Sequence, residues 1–138
     1  MKLQLKRVWE TRTEGEGARV LVDRLWPRGR SKEKLRLDAW LKDIAPSDAL
    51  RQWFDHDPAK WNGFRTRYAK ELDANPEAVG ALRQLLRAHK TVTLLFAAHD
   101  IAHNNAVALR EYLMHAGASG RNMAPAKRLR DSGKRAKR

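Results

Sequence analysis

The chain has 138 residues, the length of one ordinary domain, and 42% of them are hydrophobic, which is enough to build a single core. It contains no cysteine, which excludes disulfides, thiolate metal ligands and a cysteine nucleophile, and favours a reducing, cytoplasmic location. No apolar run is long enough for a signal peptide or a membrane span, so we expect no contact with membranes.

The formal charge is strongly positive, +13 from 29 Lys and Arg against 16 Asp and Glu, and a charge of this sign attracts polyanions. Much of it lies in residues 117–138, which carry eight basic side chains and one acidic one. Because this segment has almost no apolar residues, it cannot bury enough surface to fold. We therefore expect an α/β domain over residues 1–116 and a basic, disordered tail over residues 117–138.

Three segments in the first half of the chain are predicted as strands. Residues 2–9 alternate apolar and charged side chains. Residues 18–25 contain a β-branched apolar run, which is typical of a central strand covered on both faces. Residues 39–45 alternate again and are predicted as a third strand, although residues 37–44 also fit a helix.

Helix signals dominate the second half. Ser47, Asp57 and Asn75 each stand before a helix-like segment as potential N-caps, and a proline follows two of them at the first helical position. Residues 91–98 form the strongest predicted strand, and a last helix follows Asn104. This alternation predicts a three-layer α/β fold with a central, mostly parallel sheet of about four strands flanked by helices.

Ligands of such sheets bind beyond the carboxyl ends of the strands. The rule predicts that residues 23–28, 42–47 and 98–104 come together. Arg24 and Arg28 leave the second strand on a proline- and glycine-containing loop, and their guanidinium groups suit phosphate or carboxylate recognition, with Trp26 available for stacking. A salt bridge from Asp23 and a core position for Trp26 are the structural alternative, and both interpretations remain open.

The candidate side chains fall into three groups along the chain. The ligand-binding candidates are Asp23, Arg24, Trp26, Arg28, Lys42, Ser47, Arg51 and Asn104. The acid–base candidates are His56, His99 and Asp100, because histidine and aspartate titrate in a range useful for catalysis. Helix capping alone explains Ser47, and surface contacts alone explain Arg51 and His56.

Metal and cofactor motifs are weak in this sequence. His99 and His103 are four residues apart without a third firm ligand nearby, so we predict no metal site. The glycine-rich dinucleotide and phosphate-loop motifs are missing, and no cofactor or oligomeric state can be assigned.

Four stretches carry a family resemblance: Arg19–Gly29, Trp40–Ser47, Leu50–Phe54 and Thr93–Ala98 with Asn104. Together they resemble the YeaO-like branch of the domain of unknown function 488 family, from about Lys2 to Leu113. The resemblance implies a compact α/β domain of uncharacterised activity. Longer relatives in the wider family resemble this chain at the same strand exit and carry a Cys-His-Arg motif after the last strand. This sequence has Ala102-His103-Asn104 there, so a reaction that needs that cysteine is not expected.

Two functions fit these observations. In the first, a small enzyme or ligand-binding protein takes up a phosphorylated or otherwise anionic small molecule in an Arg/Lys pocket. In the second, a nucleic-acid-binding accessory protein uses its basic body and tail to contact phosphates. The residues alone do not decide whether the protein is an enzyme.

Overall fold

The computed structural model of the protein describes residues 2–119, with side chains as far as His115. Within the described residues the chain divides into two units, residues 2–108 and residues 109–119. The whole sheet and the candidate site lie in the first unit. The described residues of the second unit continue the last helix, which ends at Ser119.

The described residues form four strands and five helices, and the strands make one parallel sheet, which confirms the predicted α/β fold class. The strands are β1 (Lys2–Arg7), β2 (Ala18–Leu21), β3 (Ala39–Trp40) and β4 (Thr91–Phe96). The helices are α1 (Lys32–Leu35), α2 (Asp48–Phe54), α3 (Trp61–Asp73), α4 (Pro76–Ala88) and α5 (Asn105–Ser119), with 3-10 turns at Lys42–Ile44 and Pro58–Lys60.

The four strands form one parallel sheet in the order β1-β4-β2-β3. In β4, Leu94 pairs with Leu5 of β1 on one side and with Val20 of β2 on the other. All β4 residues after Thr91 are buried, as expected for a central strand between two others. Because every strand runs in the same direction, all four carboxyl ends lie along one edge of the sheet.

Local sequence signals explain most helix boundaries. Ser47 begins α2 as predicted, since its Oγ accepts a hydrogen bond from the Leu50 N–H. In α3 one apolar face packs into the core, because Phe64, Tyr68 and Leu72, at helical spacing, are all buried. Burying side chains of this size removes apolar surface from water and stabilises the fold by about 1.5–3 kcal/mol each.

The predicted third strand over residues 39–45 is correct only for Ala39 and Trp40. The chain then turns into the 3-10 segment Lys42–Ile44, in which Lys42 is exposed and Ile44 is buried. A strand would place these two side chains on the same face. A residue of α3 stabilises this turn, because the buried hydroxyl of Tyr68 donates a hydrogen bond to the Ile44 carbonyl, with 2.6 Å between the two oxygens.

The second predicted strand, residues 18–25, is also shorter than expected and ends at Leu21. The Val22 N–H still donates to the Leu95 carbonyl, but the Ala97 N–H donates to the Asp23 carboxylate instead of a backbone oxygen. The Asp23 side chain therefore replaces the next backbone hydrogen bond between β2 and β4. Residues 24–28 leave the sheet and form a loop.

The predicted basic tail falls almost entirely outside the described residues. The exception is 117–119, which are helical as the end of α5. None of the helices in the described part of the chain is both long and apolar enough to cross a membrane.

Candidate ligand-binding cleft

A cleft of about 610 Å³ opens at the carboxyl edge of the sheet. Its walls come from three loops, which follow β2 (residues 23–28), β3 (residues 45–46) and β4 (residues 97–100), together with parts of α2 and α3 and the start of α5. Small-molecule sites in proteins have volumes of roughly 300–1,000 Å³. The cleft is therefore large enough for a small ligand.

Asp23 fixes the geometry of two walls. Its Oδ2 accepts a hydrogen bond from the Ala97 N–H at 2.8 Å, and its Oδ1 accepts one from Nδ2 of Asn105 at 2.9 Å. Burial raises the pKa of Asp23, while the two hydrogen bonds act in the opposite direction. Since both oxygens accept hydrogen bonds from the protein, this carboxylate positions the loops.

Arg24 lines the cleft with most of its donors unused. Its Nη2 donates to the Ala45 carbonyl at 3.3 Å, whereas its buried Nε has no hydrogen-bond partner. Within the described chain no carboxylate forms an ion pair with it. A guanidinium has five N–H donors, so Arg24 retains several for a ligand.

The loop after Arg24 is a tight turn that presents Arg28. The Arg30 N–H donates to the Pro27 carbonyl, and Gly29 adopts a left-handed conformation with φ of 75°. Trp26 braces the turn by donating from Nε1 to the Arg30 carbonyl at 2.6 Å. Arg28 is exposed at the cleft and has no hydrogen bond or ion pair to the residues described.

The loop after β4 is organised around Asp100. Its Oδ1 accepts hydrogen bonds from the N–H groups of Ala102 and His103, and its Oδ2 contacts Nδ1 of His103 at 3.0 Å. The hydrogen bond from the Ala102 N–H and the contact with His103 lower the pKa of Asp100. The His103 ring packs edge-on against Trp61, with 5.2 Å between ring centroids.

Two adjacent asparagines join this loop to α5. Asn104 is 2% exposed, and it caps the helix by accepting a hydrogen bond from the Val107 N–H. Asn105 donates to both the Val22 carbonyl and the Asp23 carboxylate. The asparagine pair therefore ties the ends of β2 and β4 to the start of a helix.

Most of the residues predicted from the sequence line this cleft. They are Asp23, Arg24, Trp26, Arg28, Arg51, His56, His99, Asp100 and Asn104. Lys42 and Ser47 do not line it. Nζ of Lys42 lies 5.4 Å from the centroid of the Trp40 ring, and both the N–H and the hydroxyl of Ser47 donate to Glu71.

Three of the lining candidates also have other contacts. Arg51 pairs with Asp48 at 3.1 Å on the surface. His99 packs against Trp9, with 4.9 Å between ring centroids. His56 adopts a left-handed backbone conformation with φ of 56°, directly after the C-cap residue Asp55 of α2. All three stand at the exposed rim of the cleft.

Other lining residues were not among the candidates. Phe54 and Phe64 form a stacked pair, with 4.4 Å between ring centroids, and both contribute to the buried part of the cleft. Phenylalanine is ordinarily a core residue, so its side chain alone gives no signal of a binding site. His103 and Asn105 also line the cleft, and the signal that could have found them is their position between a buried strand and a helix. No group of three potential metal ligands occurs within residues 2–119.

These features define an α/β domain with a ligand-sized cleft at the carboxyl edge of a parallel sheet. The chain belongs to the DUF488 family, because the family model described as "Inactive DUF488-N3 subclade" matches residues 2–129. This confirms the resemblance seen in the sequence.

Similar proteins include Uncharacterized protein YeaO of Escherichia coli (strain K12), which is 39% identical over 113 residues, 82% of this chain and 97% of the relative. Uncharacterized protein Rv3073c of Mycobacterium tuberculosis (strain H37Rv) is 38% identical over 112 residues, 81% of this chain and 93% of the relative. No solved structure matches this chain significantly.

Proposed function

We propose that the protein binds an anionic small molecule in this cleft, with Arg24 as the principal anion contact and Arg28 and Arg51 at the rim. The observation that carries the proposal is the state of Arg24. Arg24 lines the cleft, and its guanidinium has one hydrogen bond to the protein and no ion-pair partner within the described chain.

An arginine whose N–H groups lack acceptors lowers the stability of the folded protein. A buried N–H without an acceptor is unfavourable by about 1–3 kcal/mol, and a hydrogen bond between charged partners is about twice as strong as a neutral one. An anion that accepts hydrogen bonds from the Nη groups of this guanidinium would stabilise a charge to which the protein itself gives one hydrogen bond. The three arginines of the cleft also outnumber its two carboxylates, Asp23 and Asp100.

The proposal is for binding without covalent catalysis. The sequence has no cysteine, and no serine, threonine or tyrosine is among the described residues that line the cleft. The description of the subclade as inactive supports this view. Asp100 and His103 then serve to hold the loop, and His56 and His99 to shape the rim. A cytoplasmic location is part of the same proposal, since the chain contains no cysteine.

Isothermal titration calorimetry of the full chain with methyl phosphate tests the proposal. Replacement of Arg24 by glutamine keeps the side chain polar but removes the charge, and it should weaken binding by about tenfold or more. Arg12→Gln is the matched control, because Arg12 is exposed and lies outside the cleft. Equal affinities of methyl phosphate for wild type, Arg24→Gln and Arg12→Gln would contradict the proposal.

Nucleic-acid binding is the alternative for a chain with a charge of +13. It predicts that a single-stranded oligonucleotide binds with strong salt dependence and that methyl phosphate does not compete for the same site. Fluorescence anisotropy with a labelled oligonucleotide distinguishes the two functions. Binding that Arg24→Gln leaves unchanged would assign the oligonucleotide to a surface outside the cleft.

A further inference from the structure

We infer that the ligand of this cleft is an amphipathic anion, a phosphate or carboxylate attached to an apolar body about the size of one aromatic ring. The inference rests on the proposed function and adds to it the chemical class of the ligand. A simple inorganic anion would use only part of the surface that the cleft provides.

Five of the six buried lining residues are apolar and form what we call the floor of the cleft, whereas the sixth, Asn104, uses its side-chain amide for the Asp100 carbonyl and the Val107 N–H. Phe54 and Phe64 are 6% and 2% exposed, and Pro27, Ala45 and Pro46 are buried beside them as lining residues. These five side chains carry no hydrogen-bonding group. A charged headgroup placed against them would lose its hydration without compensation, which is strongly unfavourable.

The charged part of the cleft is nearer to solvent. Arg28 and Arg51 are exposed and Arg24 is half-buried, whereas Phe54 and Phe64 are buried. The cationic lining residues are therefore more exposed to solvent than the rings. A ligand that enters with its apolar body first would leave its anionic group at the level of the arginines.

Space for the apolar body is provided by small side chains. Ala97 and Ala98 directly follow β4, are half-buried, and line the cleft. Ala97 also packs against the core cluster of Val8, Leu21, Leu35 and Leu95, so a larger side chain at Ala98 is the change that would take up space in the cleft. Trp26, which is also half-buried, offers an aromatic surface on the β2 side of the same cavity.

Two probes with the same headgroup test the inference. Phenyl phosphate and methyl phosphate differ only in the apolar body, so their affinities for the full chain measure what the floor contributes. Burial of one ring at about 25 cal/mol per Å² predicts that phenyl phosphate binds about ten- to a hundredfold more tightly. Calorimetry of both probes with the wild-type protein provides the measurement.

A variant that fills the floor makes the test specific. Ala98→Leu should remove the preference for phenyl phosphate over methyl phosphate, because the larger side chain takes the space of the ring. Ala49→Leu is the control, because Ala49 is exposed on α2 outside the cleft. Circular dichroism and thermal unfolding establish whether each variant is folded. If Ala98→Leu does not fold, the comparison of the two probes on the wild-type protein still decides the inference.

The outcomes distinguish the inference of an amphipathic ligand from the proposal of anion binding at Arg24. A strong preference for phenyl phosphate that depends on Arg24 and disappears in Ala98→Leu supports both. Equal affinities for the two probes, both lowered in Arg24→Gln, would overturn the amphipathic ligand and leave the proposed function standing. If neither probe binds, both are overturned. If folded Ala98→Leu still prefers phenyl phosphate, the ring binds outside the space beside Ala98, and the inference is overturned.

Discussion

The side-chain amide of Asn105 donates a hydrogen bond to Asp23, with 2.9 Å between Nδ2 and Oδ1, and joins residues 82 positions apart in the sequence. The same carboxylate accepts a hydrogen bond from the Ala97 N–H. These two bonds fix the loops after β2 and β4 relative to the start of α5. The shape of the cleft therefore depends on one half-buried carboxylate, both oxygens of which already accept hydrogen bonds from the protein.

Asp23 should make stability depend on pH in an unusual direction. Burial raises its pKa above the value near 3.9 expected in the unfolded chain. The folded state then retains a proton that the unfolded state has released, so the contribution of Asp23 to stability is greatest below about pH 4 and is lost as the pH rises through the folded pKa.

The comparison of wild type with Asp23→Asn isolates this effect. The variant loses one acceptor and should be less stable by about 1–3 kcal/mol, but its deficit should shrink as the pH rises above about 4. Urea unfolding between pH 3.5 and pH 7 measures the difference, with Asp43→Asn, an exposed aspartate, as the control. A deficit that stays constant with pH would show that Asp23 has no raised pKa in the folded protein.

Glu16 should have the opposite pH dependence. It is 5% exposed and paired with Lys6 and Arg19. Burial alone would raise its pKa, but hydrogen bonds from Lys6, the Thr13 N–H and Arg19 lower the pKa to about 2. Because the folded pKa lies below the unfolded one, this stabilisation is present above about pH 4.5 and is lost as the pH falls towards 2.

Neutralising Glu16 should destabilise the protein strongly at pH 7. Glu16→Gln leaves the buried Arg19 without its carboxylate and should lower the free energy of unfolding by about 3–5 kcal/mol. Glu14→Gln, at an exposed position in the same loop, should change it by less than about 0.5 kcal/mol. Similar urea midpoints for the two variants would mean that the buried ion pairs contribute little.

The glycines of the same loop offer a matched pair. Gly15 and Gly17 both have positive φ, 87° and 67°. A Cβ at Gly15 would meet nothing within 4 Å, whereas a Cβ at Gly17 would lie 2.0 Å from the Thr91 carbonyl oxygen. Gly15→Ala should therefore cost about 1 kcal/mol from backbone strain alone, and Gly17→Ala clearly more, because the clash is with backbone at the start of β4. Equal losses in thermal unfolding would contradict this account of the turn.

The cationic side chains should differ in their effects on anion affinity. We expect the largest loss for Arg24→Gln and a loss of about two- to fivefold for Arg28→Gln, because Arg28 is exposed and its contact with an anion is screened by solvent. Lys42→Gln should have no effect, since Lys42 lies over the Trp40 ring outside the cleft. Calorimetry with methyl phosphate gives the order, and a larger effect at Lys42 than at Arg24 would place the anion elsewhere.

The sequence predicted the parts of this fold that depend on local patterns. The apolar run at residues 91–98 indicated a central strand, and the serine before α2 indicated a cap. The carboxyl-edge rule indicated that the loops after β2 and β4 meet, and both contribute to the cleft. Each of these inferences uses neighbouring residues or the common direction of parallel strands.

The remaining features depend on contacts between distant residues. Residues 42–44 alternate like a strand, but Tyr68 holds them in a turn through the Ile44 carbonyl. Glu16 lies between two glycines and resembles a solvent-exposed loop residue. In the structure it is buried, and it accepts hydrogen bonds from Lys6 and Arg19. No local pattern encodes such pairs, because the partners come together only when the sheet forms.

The state of the Arg24 guanidinium tests the central claim most directly. In ¹H–¹⁵N spectra of the full chain, the Arg24 Nε–H signal, assigned by its loss in Arg24→Gln, can be followed as methyl phosphate is added. We predict that it moves in a saturable way, with a midpoint equal to the dissociation constant from calorimetry, because the guanidinium gains an anionic acceptor. A signal that stays unchanged while other arginine signals shift would contradict an anion site at Arg24.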